Sequence, residues 1–162
     1  MIIKSSTFLY LFDFDGTLVG NNQWKNYLYN TIDCFRFLRY NPSLLDIRWC
    51  ILSSRPKIDR FIIWLICKYH KLKTNQILTS NTLFYNFKTD EDSFRSKEII
   101  IKQILDQEIK INNFVKPIEK IVFIDNDFSC IKYLNGKKEH YKYIAISVSD
   151  FLLKDFIFLL TE

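Results

Sequence analysis

Two aspartates two positions apart, Asp13 and Asp15, close an apolar run and are followed at once by Gly16 and Thr17. A third aspartate, Asp125, closes another apolar run and is followed by Asn126 and Asp127, while Ser53, Ser54 and Arg55 follow a third. If these runs are parallel strands, all three polar clusters fall at strand carboxyl ends, where open α/β sheets bind ligands and helices present their N-termini. Asp13, Asp15 and Asp125 would then converge. A pair of like charges 4 Å apart costs about 4 kcal/mol at an effective dielectric near 20, so such a cluster needs compensation. Mg²⁺, a hard cation held by one or two carboxylates plus substrate phosphate and water, suits it, and these three aspartates are the candidate ligands.

Other metals fit poorly. His70 and His140 stand far apart and no Cys or His cluster has zinc spacing. An EF-hand loop needs its glycine five residues after the first ligand, whereas Gly16 comes three after Asp13. A carboxylate that attacks phosphorus to form an aspartyl-phosphate is an established route for phosphoryl transfer. Asp13 and Asp15 suit a division of labour along it. Asp13 attacks, and Asp15 protonates the leaving oxygen and later deprotonates water. Gly16 permits a sharp exit from the strand, and Thr17 either orients Asp15 or caps the next turn. Lys97 shares a helical stripe with Ile101, Ile104 and Leu105, so it projects from a core-facing side. In the first turn of its helix it can bridge Asp13 and a phosphate oxygen; the plainer reading is a lysine that snorkels to water.

The elements that must hold these groups follow from periodicity. Strands are expected over Thr7–Phe12, Arg48–Leu52, Gln76–Thr79, Lys120–Ile124 and Tyr143–Ser147, and helices over Trp24–Tyr40, Lys57–Tyr69, Phe94–Gln107, Phe128–Leu134 and Phe151–Leu160. This alternation predicts a three-layer α/β/α Rossmann-like domain around a mostly parallel five-stranded sheet, with residues 1–162 forming one domain. Asn81–Ser93 lacks a pattern and ends in Asp90, Glu91 and Asp92. It reads as a surface loop whose acidic end favours the next helix N-terminus, or as a substrate-facing flap.

Composition narrows the class. An apolar fraction of 48% and a charged fraction of 25% are those of a globular chain, and only the aromatic fraction, 17%, stands out. Cys34, Cys50, Cys67 and Cys130 are widely spaced inside apolar stretches and read as buried free thiols. No apolar run approaches the roughly 20 residues of a membrane span. The patch Phe8–Phe12 runs straight into Asp13 and Asp15, unlike a secretory signal. A cytoplasmic, reducing location and no membrane partner are the expectations. The net charge of +5 permits a polyanionic partner without demanding one.

These residues, in this order, resemble the haloacid dehalogenase (HAD) superfamily of phosphohydrolases. DFDGTL at Asp13–Leu18 matches its first motif, Ile51–Ser53 its second, Lys97 its third, and VFIDND at Val122–Asp127 its fourth. At about 5% usage per residue type, D-x-D-G-T arises by chance in roughly one chain per thousand of this length, so the first motif alone is fairly specific. The resemblance implies Asp13 as nucleophile, Asp15 as general acid and base, Lys97 as charge clamp and Asp125 as a metal ligand. Asp15 would usually lend its backbone carbonyl to the metal. Ser53 would bind the phosphate, with Ser54, Arg55, Gly16 and Thr17 beside it. Asn126 and Asp127 depart from the common fourth motif; Asp127 is expected either just beyond the metal's direct ligands or as the cap of the helix near Phe128.

Asp13 and Ser53 lie 40 positions apart, and Ser53 and Lys97 lie 44 apart. Neither interval holds a sizeable cap domain. Capless relatives tend to act on exposed phosphates of large substrates. SSRP at Ser53–Pro56 and SFRSK at Ser93–Lys97 look similar to capless domains of polynucleotide-end and RNA repair. The expected function is thus a Mg²⁺-dependent phosphatase acting on a phosphorylated substrate, with an RNA or DNA 3′-phosphate favoured. The basic balance and spare aromatics fit a surface that tracks the backbone and stacks bases. Alternatives are a phosphoprotein or small phosphoester phosphatase, and a binding or scaffold protein that keeps the fold without turnover.

Overall fold

The computed structural model describes residues 8–20, 49–112, 114, 117–137 and 142–151. Five strands run through them: β1 (Phe8–Phe12), β2 (Trp49–Leu52), β3 (Ile77–Leu78), β4 (Lys120–Asp125) and β5 (Tyr143–Ser147). All neighbours pair in parallel, in the order β3-β2-β1-β4-β5. Helices α1 (Arg60–Tyr69), α2 (Asp90–Leu105) and α3 (Phe128–Lys137) alternate with them. A 3₁₀ turn, Lys57–Asp59, leads into α1, and a short turn, α4 (Val148–Asp150), follows β5. The helix expected over Trp24–Tyr40 lies outside the described residues, as does the one over Phe151–Leu160 apart from Phe151.

Period-two alternation divides the strands between two cores. Tyr10, Phe12, Trp49, Ile51, Val122 and Ile124 face Ile63 and Ile66 of α1 together with Phe14, Leu18 and Phe151. Leu9, Leu11, Cys50, Leu52, Ile121 and Phe123 face Ile100, Ile101 and Ile104 of α2 and Cys130 and Leu134 of α3. The result is a three-layer α/β sandwich, and burial on both faces explains why the strands read as near-continuous apolar runs. Each large side chain so buried contributes about 1.5–3 kcal/mol. Phe12 meets Trp49 and Phe151 edge-on, with centroids 5.5 and 5.1 Å away.

Helix α2 begins earlier than periodicity suggests, at Asp90 rather than Phe94. The Thr89 hydroxyl accepts from the Asp92 N–H at 3.2 Å, and the Asp92 carboxylate accepts from the Thr89 N–H at 3.3 Å. This capping box satisfies donors that the helix cannot, and Asp90, Glu91 and Asp92 stand where the helix dipole favours negative charge. The acidic cluster is thus the first turn of the helix itself, and Lys97 sits in the second turn rather than the first.

The strand order reverses at β1, which has β2 on one side and β4 on the other. The chain leaves β3 at one edge, passes through α2, and returns as β4 beyond β1. Such a topological switch point opens a crevice at the strand carboxyl ends. Here it sets Phe12 beside Ile124, and the Asp13 N–H donates to the Ile124 carbonyl at 2.9 Å. Cys50, Cys67 and Cys130 are free and buried. Among the described residues no helix is long and apolar enough to cross a membrane.

Candidate active site

Asp13 follows the last residue of β1 and Asp125 is the last residue of β4, so the sheet register alone brings their backbones together. Both side chains are buried, Asp13 at 5% exposure and Asp125 at 0%. Lys97 reaches them from α2. Its Nζ donates to Asp13 Oδ1 at 3.0 Å and to Asp125 Oδ2 at 2.8 Å. The Phe123 ring centroid lies 5.3 Å from the same nitrogen, within cation–π range. The remaining oxygens are also engaged. Asp13 Oδ2 lies 3.2 Å from the Thr17 hydroxyl, and Asp125 Oδ1 accepts from the Asp127 N–H at 3.0 Å.

Lys97 therefore does not snorkel. Burial pulls its proton affinity down, but the two carboxylates outweigh that and hold the ammonium above its ordinary range. Burial pushes the Asp13 carboxyl up to about 7, Lys97 opposes that rise, and the Asp125 and Asp15 charges add to it.

Asp15 stands apart from this group. Arg55, just past β2, grips it through two parallel hydrogen bonds, Nε to Oδ2 at 2.7 Å and Nη2 to Oδ1 at 2.9 Å. The same guanidinium donates to Asp59 Oδ2 at 3.2 Å. The side chains thus differ from the expectation of three carboxylates around one point. Among the described residues no group of three His, Cys, Asp or Glu is arranged to hold a metal ion. Charge compensation is instead divided, with Lys97 serving Asp13 and Asp125 while Arg55 serves Asp15.

Gly16 takes φ 79°, a left-handed conformation that glycine adopts without a steric penalty, and the chain turns sharply there. The Phe14 carbonyl accepts from the Leu18 and Val19 N–H groups, while Phe14 itself is buried in the α1-side core. Thr17, fully buried, departs from expectation. Its hydroxyl hydrogen serves Asp13 Oδ2 or Asn126 Oδ1, 3.2 and 3.3 Å away, and its oxygen accepts from the Asn126 N–H at 3.1 Å. It ties the β1 turn to the β4 turn and does not orient Asp15. Ser53 is buried, its hydroxyl accepting from the Arg55 N–H at 3.2 Å. Asp127 caps α3, its Oδ1 accepting from the Ser129 N–H at 2.9 Å.

These groups open onto a cavity of about 660 Å³. Asp13, Asp15, Lys97, Asp125, Asn126, Asp127, Ser54 and Arg55 line it, as the sequence motifs suggested. Ser93 and Phe94 of the SFRSK segment line it as well, and so do Asp59, Asp90 and Tyr85, to which no motif pointed. Asp59 ends the 3₁₀ turn Lys57–Asp59, and the bend at Ser54 and Arg55 before that turn is what lets the Arg55 guanidinium reach it. No sequence signal marked Tyr85. Six aspartates line the cavity against one lysine and one arginine, so the basic balance of the whole chain is not reproduced there.

No family model matches the chain, and no curated protein matches it. A chain in a solved structure described as "Structure of Pnkp1/Rnl/Hen1 complex" is similar to it, with a TM-score of 0.54 and 14% identity. The likeness covers 88% of this chain and 47% of that one, so this chain spans about half the length of the chain it matches. At that identity the likeness establishes a shared fold.

Proposed function

We propose that this chain is a Mg²⁺-dependent phosphatase of the HAD type that works through an aspartyl-phosphate on Asp13, with a nucleic-acid 3′-phosphate as its favoured substrate. One observation carries the reading. A lysine ammonium, buried at a topological switch point, bridges two carboxylates at the carboxyl ends of neighbouring parallel strands, at 3.0 and 2.8 Å. Structural ion pairs are rarely placed so expensively, because removing three charges from water costs several kcal/mol per ion. The motif resemblance and the shared α/β fold supply the scaffold for the same reading.

The donor set fits a hard cation. Asp13 and Asp125 present only oxygen, and two carboxylates share a single ammonium, which leaves one negative charge for a cation to compensate. Two carboxylates are also what Mg²⁺ commonly takes from a protein when a substrate phosphate completes its shell. The backbone carbonyl of Asp15 is the third donor that the resemblance implies. When bound, the cation neutralises charge on the phosphoryl oxygens.

The protein's own groups perform the transfer. Asp13, ionised, forms a bond from a carboxylate oxygen to phosphorus as the ester P–O bond breaks. Asp15 is the group that gives a proton to the departing oxygen. Because Arg55 donates to both of its oxygens here, Asp15 must leave that pairing and take up a proton from water before it acts as the acid. In the second half Asp15 takes a proton from water, the water oxygen bonds to phosphorus, and Asp13 leaves as carboxylate with inorganic phosphate released. Lys97 stabilises negative charge shared between Asp13 and the phosphoryl group. Thr17 fixes the Asp13 rotamer.

The acidic lining refines the substrate. It disfavours a run of backbone phosphates inside the cavity, so the terminal phosphate and its nucleotide are expected to enter while the rest of the strand stays outside. Turnover of 3′-phosphorylated oligonucleotides, phosphopeptides and nucleoside monophosphates, assayed side by side with Mg²⁺, tests this reading. Oligonucleotide ends are expected to be the best substrates, and Asp13→Asn is expected to abolish hydrolysis of a generic aryl phosphate while the protein stays folded. Unchanged turnover in that variant would remove Asp13 from the mechanism. Better phosphopeptide turnover would move the assignment to phosphoproteins, and no turnover of any phosphate would favour a scaffold.

A further inference from the structure

Among the described residues lining the cavity, two are aromatic, and both stand on the segment that enters and begins α2. Phe94 packs against Tyr133 of α3 with ring centroids 5.9 Å apart. Tyr85 differs. It is 69% exposed, yet its ring is braced by Phe87 at 5.3 Å with an interplanar angle of 76°. The loop that carries it is tied down at both ends. The Lys57 N–H donates to the Thr82 carbonyl at 2.8 Å, and the Thr89 capping box closes the other end. A large ring held at a fixed place and left in water forgoes the gain of burial, which a stacked ligand can restore.

The chemistry of that ligand is constrained by the rest of the cavity. A volume of about 660 Å³ belongs to the range that accommodates an organic group and not only a phosphate. The excess of aspartate over lysine and arginine repels further phosphates, so affinity beyond the reacting phosphate has to come from uncharged contacts. An uncharged planar ring carried one sugar away from its phosphate meets these conditions. We infer that Tyr85 is a specificity-determining residue that stacks on the nucleobase next to the scissile phosphate, so that the site selects a phosphate monoester borne by a nucleotide. This rests on the phosphatase reading above and names what that site holds besides phosphate.

The test compares the wild type with Tyr85→Ala and Tyr85→Trp on three Mg²⁺-supplemented substrates. These are a 3′-phosphorylated oligonucleotide with a terminal base, the same oligonucleotide with an abasic terminal sugar, and a nucleoside 3′-monophosphate. Stacking on an aromatic side chain is worth roughly 5- to 150-fold per base, so Tyr85→Ala should lower the preference for the base-bearing end over the abasic end by a factor in that range, mainly through KM. Tyr85→Trp should restore it. A matching loss on the free monophosphate would assign the contact to the base itself, whereas a preference that does not change in Tyr85→Ala, or falls equally in Tyr85→Trp, would overturn the inference while leaving the phosphatase intact. A second measurement does not depend on turnover. In the Asp13→Asn protein, 2-aminopurine at the terminal position should be quenched on binding, and the quench should vanish when Tyr85→Ala is added. Quenching that persists there would also overturn the inference.

Discussion

Replacing Lys97 with Met removes one buried ammonium and leaves its two partners in place. Asp13 and Asp125 are 5% and 0% exposed, so neither can recover the lost hydrogen bonds, 3.0 and 2.8 Å long, from bulk water. Breaking a buried ion pair from one side costs about 3–5 kcal/mol, a large part of a small domain's total stability. The cost should depend on pH, and its sign follows from Asp13. Its carboxyl is pushed up from 3.8 to about 7, so between these values the folded protein keeps a proton that the unfolded chain has released. The contribution of Asp13 to wild-type stability therefore falls as pH rises from about 4 to about 7. Without Lys97 the pull that opposes burial is gone and the window extends upward. Urea unfolding in EDTA should then show Lys97→Met costing more at pH 8 than at pH 5. Adding Asp13→Asn at pH 8 should return part of the loss, with a coupling of about 0.5–3 kcal/mol. A loss below about 1 kcal/mol, equal at both pH values and additive with Asp13→Asn, would refute the buried triad.

Mg²⁺ should raise the melting temperature of the wild type, because a ligand that binds only the folded state stabilises it by mass action. Asp125→Asn should abolish that rise, and a rise of equal size in the variant would place the cation elsewhere. Thr89→Ala removes the hydroxyl half of the capping box and should lower stability by about 0.5–2 kcal/mol in urea titration, with Thr89→Ser recovering most of it. Burial pushes the Cys50 and Cys67 thiols up to about 12, and Cys130 is raised as well. Iodoacetamide at pH 8 should therefore leave all three unmodified in the native protein and label them in urea, as peptide mass mapping can read. Labelling of native Cys50 or Cys67 would contradict the core packing.

The order of strands and helices, and the residues at the strand ends, are written locally. Apolar runs such as Ile121–Ile124 are legible because a strand buried on both faces needs apolar side chains at every position. Asp13, Ser53 and Asp125 are legible because each interrupts such a run where the chain leaves the sheet. The start of α2 was half legible. Thr89 and Asp92 have capping-box spacing, but the aromatics before them blurred the periodicity that marks a boundary.

Local patterning therefore specifies which residues stand where strands end. Which of those ends are neighbours was decided by tertiary structure alone, because pairing energy depends on contacts between segments that no local pattern encodes. The order β3-β2-β1-β4-β5 sets Asp13 beside Asp125, and the passage of α2 between β3 and β4 brings Lys97 to both. The same packing gave Asp15 to Arg55 and Thr17 to Asn126, and it gathered six aspartates around a cavity in a chain whose net charge is positive. A charge finds its partner through space, and sequence distance carries almost no information about it when the partners lie 40 or 84 residues apart.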